Sequence, residues 1–333
     1  MITLKDIAKE AGVSVMTVSR VINGHASKVS RETAEKINSI IKRSGYVPNS
    51  SARSLSSKTS HIVSIIMRGE GNSLAESYNS IMFANIVHHV QLQDYYTMVH
   101  FINDYRDITN RLRTWSIDGA IFLGPFDKDI MNIKEDNQIP LVFIDSYSPV
   151  RQLTNVGIDD YKGGVLAAKH FIERGHRSFA FIGTSLDSSS VVQHRLKGFK
   201  DSIEEAGLTF NPEHILDIND NISLTKRILN FKEPVTAIFA TSDMIAVDLI
   251  NEMTAVGLRV PEDYSIIGFD DLPISHYITP KLTTIAQDIN RKAQLASDIL
   301  FRHIDDYNAP SQNIILDVHL IERDSVLTYF NHS

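Results

Sequence analysis

Residues 3–23, TLKDIAKEAGVSVMTVSRVIN, constrain the chain more than any other stretch, because they read as two short helices joined by a glycine turn. Thr3 stands three residues before Asp6, the spacing at which a capping hydroxyl and an acid satisfy orphan N–H groups at a helix start. Apolar spacing predicts a first helix over Leu4–Ala11 that buries Leu4, Ile7, Ala8 and Ala11. Gly12 follows where the chain must turn. Ser14 caps a second helix whose inner stripe is Val18, Val21 and Ile22. That leaves Val15, Met16, Ser19 and Arg20 outward. Apolar side chains can meet thymine methyls and arginine can bond guanine bidentately, so this face suits a DNA major groove. The alternative is that Val15 and Met16 pack on a third helix.

Charge bears on which alternative holds. The 333 residues carry a net charge of −7, which alone argues against nucleic acid. Residues 1–60, however, hold ten Lys/Arg against four acids, and the remainder holds 23 against 36. A head of +6 on a body of −13 is the footprint of a domain that neutralises phosphates while its body stays off the DNA. The absence of cysteine excludes disulfides and thiolate chemistry. No apolar run approaches the roughly 20 residues of a membrane span, and the amino terminus reads as a capped polar helix rather than a signal sequence. A cytoplasmic protein without a membrane partner is expected.

Ser30 caps a third helix over Arg31–Ser44, with Ala34, Ile37, Ile40 and Ile41 closing a small core and Gly45 ending it. Such a domain is marginal by itself. The serine-rich stretch that follows Tyr46-Val47-Pro48-Asn49 reads, without context, as a flexible linker.

The runs Leu4-Lys5-Asp6-Ile7-Ala8, Ala11-Gly12-Val13-Ser14 and Thr17-Val18-Ser19-Arg20-Val21-Ile22-Asn23 closely resemble the amino-terminal signature of the LacI/GalR family of bacterial transcription regulators. The likeness extends to the end of the chain. It implies that the segment containing Ala52, Arg53 and Leu55 is a hinge that becomes helical on DNA, with Leu55 wedged into a minor-groove base step. It also implies DNA contacts from Thr3, Ser14, Val15, Met16, Thr17, Ser19, Arg20 and Asn23.

From His61 onward apolar strand-like runs alternate with helical stretches, the pattern of parallel sheets wrapped by helices. Runs at Ile62–Met67, Tyr96–Ile102, Gly119–Leu123, Pro140–Ile144, Phe179–Ile182, Ala237–Ala240 and Tyr264–Phe269 suggest two doubly wound lobes. The expected fold class is an N-terminal all-α helix-turn-helix domain with a hinge helix, followed by an α/β two-lobed body that resembles type I periplasmic binding proteins. The expected boundaries are 1–47 for the head, 48–60 for the hinge and 61–330 for the body. Its lobes are expected at about 61–158 with 288–319, and 159–286 with 320–330, the chain crossing near Asp159, Gln287 and Leu320.

Nothing reads as a catalytic constellation: G-x-G-x-x-G after a strand, G-x-x-x-x-G-K-[ST], G-x-S-x-G and H-E-x-x-H are all missing. No enzyme activity, metal or cofactor is expected. The resemblance instead implies a small-molecule effector. Arg195-Leu196-Lys197-Gly198-Phe199 resembles the family's Arg-Leu-x-Gly-Phe/Trp, whose arginine faces the cleft. Ile266-Ile267-Gly268-Phe269-Asp270-Asp271 resembles the strand end whose first aspartate binds the effector. In Thr241-Ser242-Asp243 the match makes Ser242 the contact and Asp243 the helix cap. Asp145 and Asp159 lie at further strand ends, and Phe83 matches a first-lobe aromatic. A carboxylate, an arginine and an aromatic together suit a polyol. The competing readings are a salt bridge for Arg195 and Asp270, and loop caps for Asp145 and Asp159. Arg68-Gly69-Glu70-Gly71-Asn72-Ser73 departs from the family's shorter loop.

The expected function is therefore a homodimeric regulator, a repressor of palindromic double-stranded operator DNA, controlled by a sugar effector. The rivals are a same-fold regulator signalled by a protein such as a phosphorylated carrier, and a sugar-binding or sugar-processing protein with an incidental head.

Overall fold

The computed structural model describes residues 2–22, 28–46, 59–69, 71–104, 106–124, 126, 132–133, 137–147, 153–186, 189–220 and 222–329. The chain forms two compact units, residues 1–61 and 62–333.

In the first unit, α1 (Leu4–Ala11), α2 (Val15–Ile22) and α3 (Arg31–Ser44) coincide with the helices expected from spacing. Both halves of the Thr3–Asp6 capping box are present, and Gly12 takes φ 71°. A Cβ there would meet nothing, so it is the left-handed backbone and not crowding that favours glycine. Ile7, Ala8, Ala11, Val18, Val21, Ile37 and Ile40 make the core. Leu4 is only half-buried at its margin.

The second unit contains two six-stranded sheets. The first is built from β1 (Ile62–Arg68), β2 (Tyr96–Ile102), β3 (Gly119–Leu123), β4 (Leu141–Ile144), β5 (Asn155–Ile158) and β11 (Asn313–Leu316). The second holds β6 (Phe179–Gly183), β7 (Ile215–Asp217), β8 (Ala237–Ala240), β9 (Ser265–Asp270), β10 (Thr283–Ala286) and β12 (His319–Ile321). Their spatial orders are β11-β5-β4-β3-β1-β2 and β12-β10-β9-β8-β6-β7. The described pairings are parallel except β10 with β12.

Strands covered on both faces read as continuous apolar runs. In β3, Ile121 and Leu123 enter one core while Ala120 and Phe122 enter the opposite one. In β6, Phe179 and Phe181 oppose Ala180 and Ile182 in the same way. The strands not anticipated from sequence have three or four residues each and include a polar residue, whereas the equally short β4 and β8 are apolar throughout.

The chain passes between sheets at 159, at 287–288 and at 317–318. Leu320, expected at a crossing, is already paired with Ile285 in the second sheet. Helix Asp160–Glu173 packs closely on helix Ser190–Glu205 in the second lobe. A Cβ on Gly164 would lie 2.0 Å from the Arg195 carbonyl oxygen, and one on Gly198 would lie 1.9 Å from that of Tyr161. These two glycines set how near the backbones come. Leu272 follows β9 yet is buried with the first-lobe core that includes Met67 and Leu123, and all three line one cavity.

Candidate functional site

Two sites carry the expected contacts, one in each unit. In the head, the Ser14 hydroxyl caps α2 by accepting from Thr17 N at 3.1 Å, and its Oγ lies 2.9 Å from Thr17 Oγ1. Thr3 is engaged at the start of α1, where its N–H donates to Asp6 Oδ2 at 2.9 Å. Val15 and Met16 remain 41% and 64% exposed, so neither is absorbed by α3. Arg20 is exposed one turn on and donates from Nη2 to Met16 Sδ at 3.5 Å, while Ser19 is half-buried beside it. Asn23, Ala52, Arg53 and Leu55 lie outside the described residues.

In the second unit, a cavity of about 750 Å³ opens at the carboxyl ends of strands from both sheets, the place where open parallel sheets bind ligands. Ser73 and Tyr78 line it from the first lobe, and Ser189 and Asn219 from the second. Arg195 projects into it from helix Ser190–Glu205 and is 7% exposed. Its Nε donates to Asp160 Oδ1 at 2.7 Å and its Nη1 to the Thr241 carbonyl at 2.6 Å. The guanidinium carbon lies 3.4 Å from the centre of the Phe269 ring. Nη2 is unengaged among the described residues.

Asp270 ends β9 in the same cavity with φ 107°, followed by Asp271 at φ 54°. Two successive acidic residues in this region of backbone are held by their surroundings. Asp271 is gripped by Arg323, and Leu272 N donates to Asp243 Oδ2 at 2.7 Å. Asp270 Oδ1 accepts from Gln287 Nε2 at 2.6 Å, which leaves Oδ2 without a hydrogen bond among the described residues. Burial pushes the Asp270 carboxyl up to about 6 against the opposing pull of Arg195, Gln287 and Lys292.

The expected contacts divide here. Arg195, Asp270, Asp145 and Ser242 all line the cavity. Asp145 is nonetheless tied internally, taking Lys292 Nζ at 2.8 Å and the Tyr78 hydroxyl at 2.5 Å. Asp159 is not among the lining residues and caps helix Asp160–Glu173 by accepting from Lys162 N at 2.8 Å. The buried acid is its neighbour Asp160, raised by burial although Arg195 stabilises its charge. Phe83 packs against the first-lobe core and is not in the lining; Tyr78 supplies the aromatic ring there. Ser242, expected as the contact, is also the N-cap of helix Asp243–Ala255, accepting from Ile245 N at 3.3 Å. Asp243, expected as the cap, is buried below it, where Thr284 Oγ1 donates to it at 2.5 Å. Burial, with Asp270 nearby, holds its carboxyl well above the usual range. Tyr78, Asp160, Gln287 and Lys292 were not anticipated as part of the site.

A three-helix head with an exposed helix face, and a separate two-sheet body with a cavity at its strand ends, have the architecture of a transcription regulator. The model described as "Bacterial regulatory proteins, lacI family" matches residues 3–49, and the "Periplasmic binding protein-like domain" matches residues 168–326. The probable HTH-type transcriptional repressor ExuR of Bacillus subtilis is 31% identical, over 98% of each chain. The structure of the lac repressor dimer bound to operator and the anti-inducer ONPF is 27% identical over 98% of this chain and 99% of that one, with a TM-score of 0.86. That of the transcriptional regulator CelR with cellobiose is 25% identical over 98% and 100%, with a TM-score of 0.73. The chain belongs to the LacI family of bacterial transcription regulators.

Proposed function

We propose that the chain is a repressor that binds a palindromic operator as a homodimer and is controlled by a sugar or sugar derivative held between its two lobes. The observation that carries the sugar reading is that Arg195 Nη2 and Asp270 Oδ2, both unengaged among the described residues, belong to residues lining one cavity. One group donates and the other accepts, as adjacent hydroxyls of a polyol require, and the Tyr78 ring offers an apolar surface. The cellobiose-bound regulator and the operator-bound lac repressor dimer support the same reading. Val15, Met16 and Arg20 read the major groove, supported at the helix ends by Thr3, Ser14, Thr17, Ser19 and Asn23. Ala52, Arg53 and Leu55 act in the minor groove. Such a regulator works in the cytoplasm.

The effector shifts operator affinity by preferring one lobe arrangement, for which about 1–3 kcal/mol of coupling suffices. The test is a thermal-shift screen of the full chain against neutral, acidic and phosphorylated sugars, followed by operator gel shifts with each hit. A hit that changes operator affinity is expected. Retained operator binding with no sugar hit would favour the protein-signalled reading instead.

A further inference from the structure

Lys292 lies in the first turn of helix Ile289–Asp305 and is completely buried, yet it is not part of the cavity lining. Its ammonium has three N–H donors and meets three acceptor groups. Asp145 Oδ1 is at 2.8 Å, Gln287 Oε1 at 2.5 Å and Tyr78 Oη at 3.1 Å. All three of those residues line the cavity. Replacing a buried ion pair by apolar groups is often neutral or stabilising, so stability alone gives little reason for this one.

What the ammonium does is fix the direction of the hydrogen bonds that Gln287 and Tyr78 make beside the cavity. Facing a donor-only group, the Gln287 amide must present Oε1 to Lys292, and its Nε2 then points to Asp270 Oδ1 at 2.6 Å. The Tyr78 hydroxyl donates to Asp145 Oδ2 at 2.5 Å while it accepts from Lys292, so its donor is used up. The Asp145 carboxylate is matched by the buried cation, which leaves that cation no charge to offer an anionic ligand. Around Lys292 the cavity floor therefore shows an acceptor at Asp270 Oδ2 and no cation beyond Lys292 itself, the arginines that line the cavity being Arg195 and the exposed Arg68. Arg195 is already paired with Asp160.

We infer that Lys292 is a positioning residue of the cavity: acting through Gln287, Tyr78 and Asp145, it makes the floor take an uncharged hydroxyl and reject a carboxylate or phosphate at that point. This rests on the reading of the cavity as the effector site, so the experiment has one arm with ligand and one without.

Lys292→Met alone strands the Asp145 carboxylate, so the pair is removed together in Lys292→Met/Asp145→Asn; Asp145→Asn alone leaves the ammonium without its counter-ion but keeps its bond to Gln287, and serves as the control for the amide signal only. Without ligand, NMR of the full chain follows the Gln287 side-chain amide, assigned by its loss in Gln287→Leu. The double substitution should shift that signal and abolish its exchange protection, while Asp145→Asn should leave it protected. With ligand, calorimetric titrations use D-glucose against D-glucuronate and D-galactose against D-galacturonate. In any pair that binds, the neutral sugar should be at least tenfold tighter in the parent chain, and the preference should fall to threefold or less in the double variant. An unchanged Gln287 signal, or an acid bound as tightly as its neutral partner by the parent chain, overturns the inference. Binding of none of these sugars counts against the effector reading, and the Gln287 signal then decides the role of Lys292 by itself.

Discussion

The outer face of α2 and the cavity of the body differ in how their residues are held. On α2 the side chains stand exposed within two turns of one helix, supported by a hydroxyl cap a few residues away. In the cavity, Tyr78, Asp145, Gln287 and Asp270 come from separated segments and are joined through Lys292 by buried hydrogen bonds, while Arg195 is held by Asp160 and the Thr241 carbonyl. The first arrangement should lose function one contact at a time. The second should fail as a unit, because removing one member strands another away from water.

The sharpest way to break this comparison is Arg195→Leu. It leaves the fully buried Asp160 side chain with Tyr147 as its remaining hydrogen-bond partner. A stability loss of about 3–5 kcal/mol is expected in urea unfolding of the full chain, together with loss of sugar binding. A loss no larger than that of a surface substitution would mean that the cavity is not interdependent.

Arg20→Ala should leave stability nearly unchanged but weaken specific operator binding by about 1–3 kcal/mol, with far less effect on random DNA. Competitive gel shifts with both DNAs measure this. An equal drop on both would reassign Arg20 to a phosphate.

Asp270 gives a pH signature that the α2 face lacks. Its carboxyl is raised to about 6 by burial, so it accepts a ligand hydroxyl as a carboxylate only above that value. Sugar affinity should fall as pH drops through about 6, by about tenfold per unit well below it. The sign for the empty protein is opposite. A folded value above the unfolded one favours the folded state at low pH, and that contribution is lost as pH rises through about 6. The difference between the parent and Asp270→Asn profiles isolates this one group, and coincident profiles would count against it.

The smallest effect is expected from Thr3→Ala, which removes the cap of α1 and should cost about 1 kcal/mol, visible as a lower melting point. Operator specificity, measured at a temperature where the head stays folded, should not change. A change there would make Thr3 a DNA contact as well as a cap.

The same difference governs what was legible in the sequence. Helices α1–α3 were readable because their caps and apolar stripes lie within one turn of each other. In the body, apolar runs located seven of the strands, but a helix start such as Ser77-Tyr78-Asn79-Ser80 carries no apolar stripe to mark it. Tyr78 was missed for that reason. Asp159 and Asp160 are adjacent carboxylates at one helix start, and spacing alone does not say which one caps and which one turns inward. Lys292 was the least legible. A lysine beside Arg291 in a helix reads as solvated surface until Asp145, remote in sequence, is brought against it.

Leu272 gives the body something like a mechanical detent. Although it belongs to the turn after β9, its side chain is seated among first-lobe core residues, 1% exposed, two positions beyond Asp270. Any parting of the lobes that unseats it must wet a leucine, at about 1.5–3 kcal/mol for full exposure. The coupling that a ligand needs to throw such a switch is about 1–3 kcal/mol. Under the proposed control by lobe movement, one side chain would be enough to make the lobes click between positions rather than slide, with the catch fastened to the strand end that carries the cavity's carboxylate.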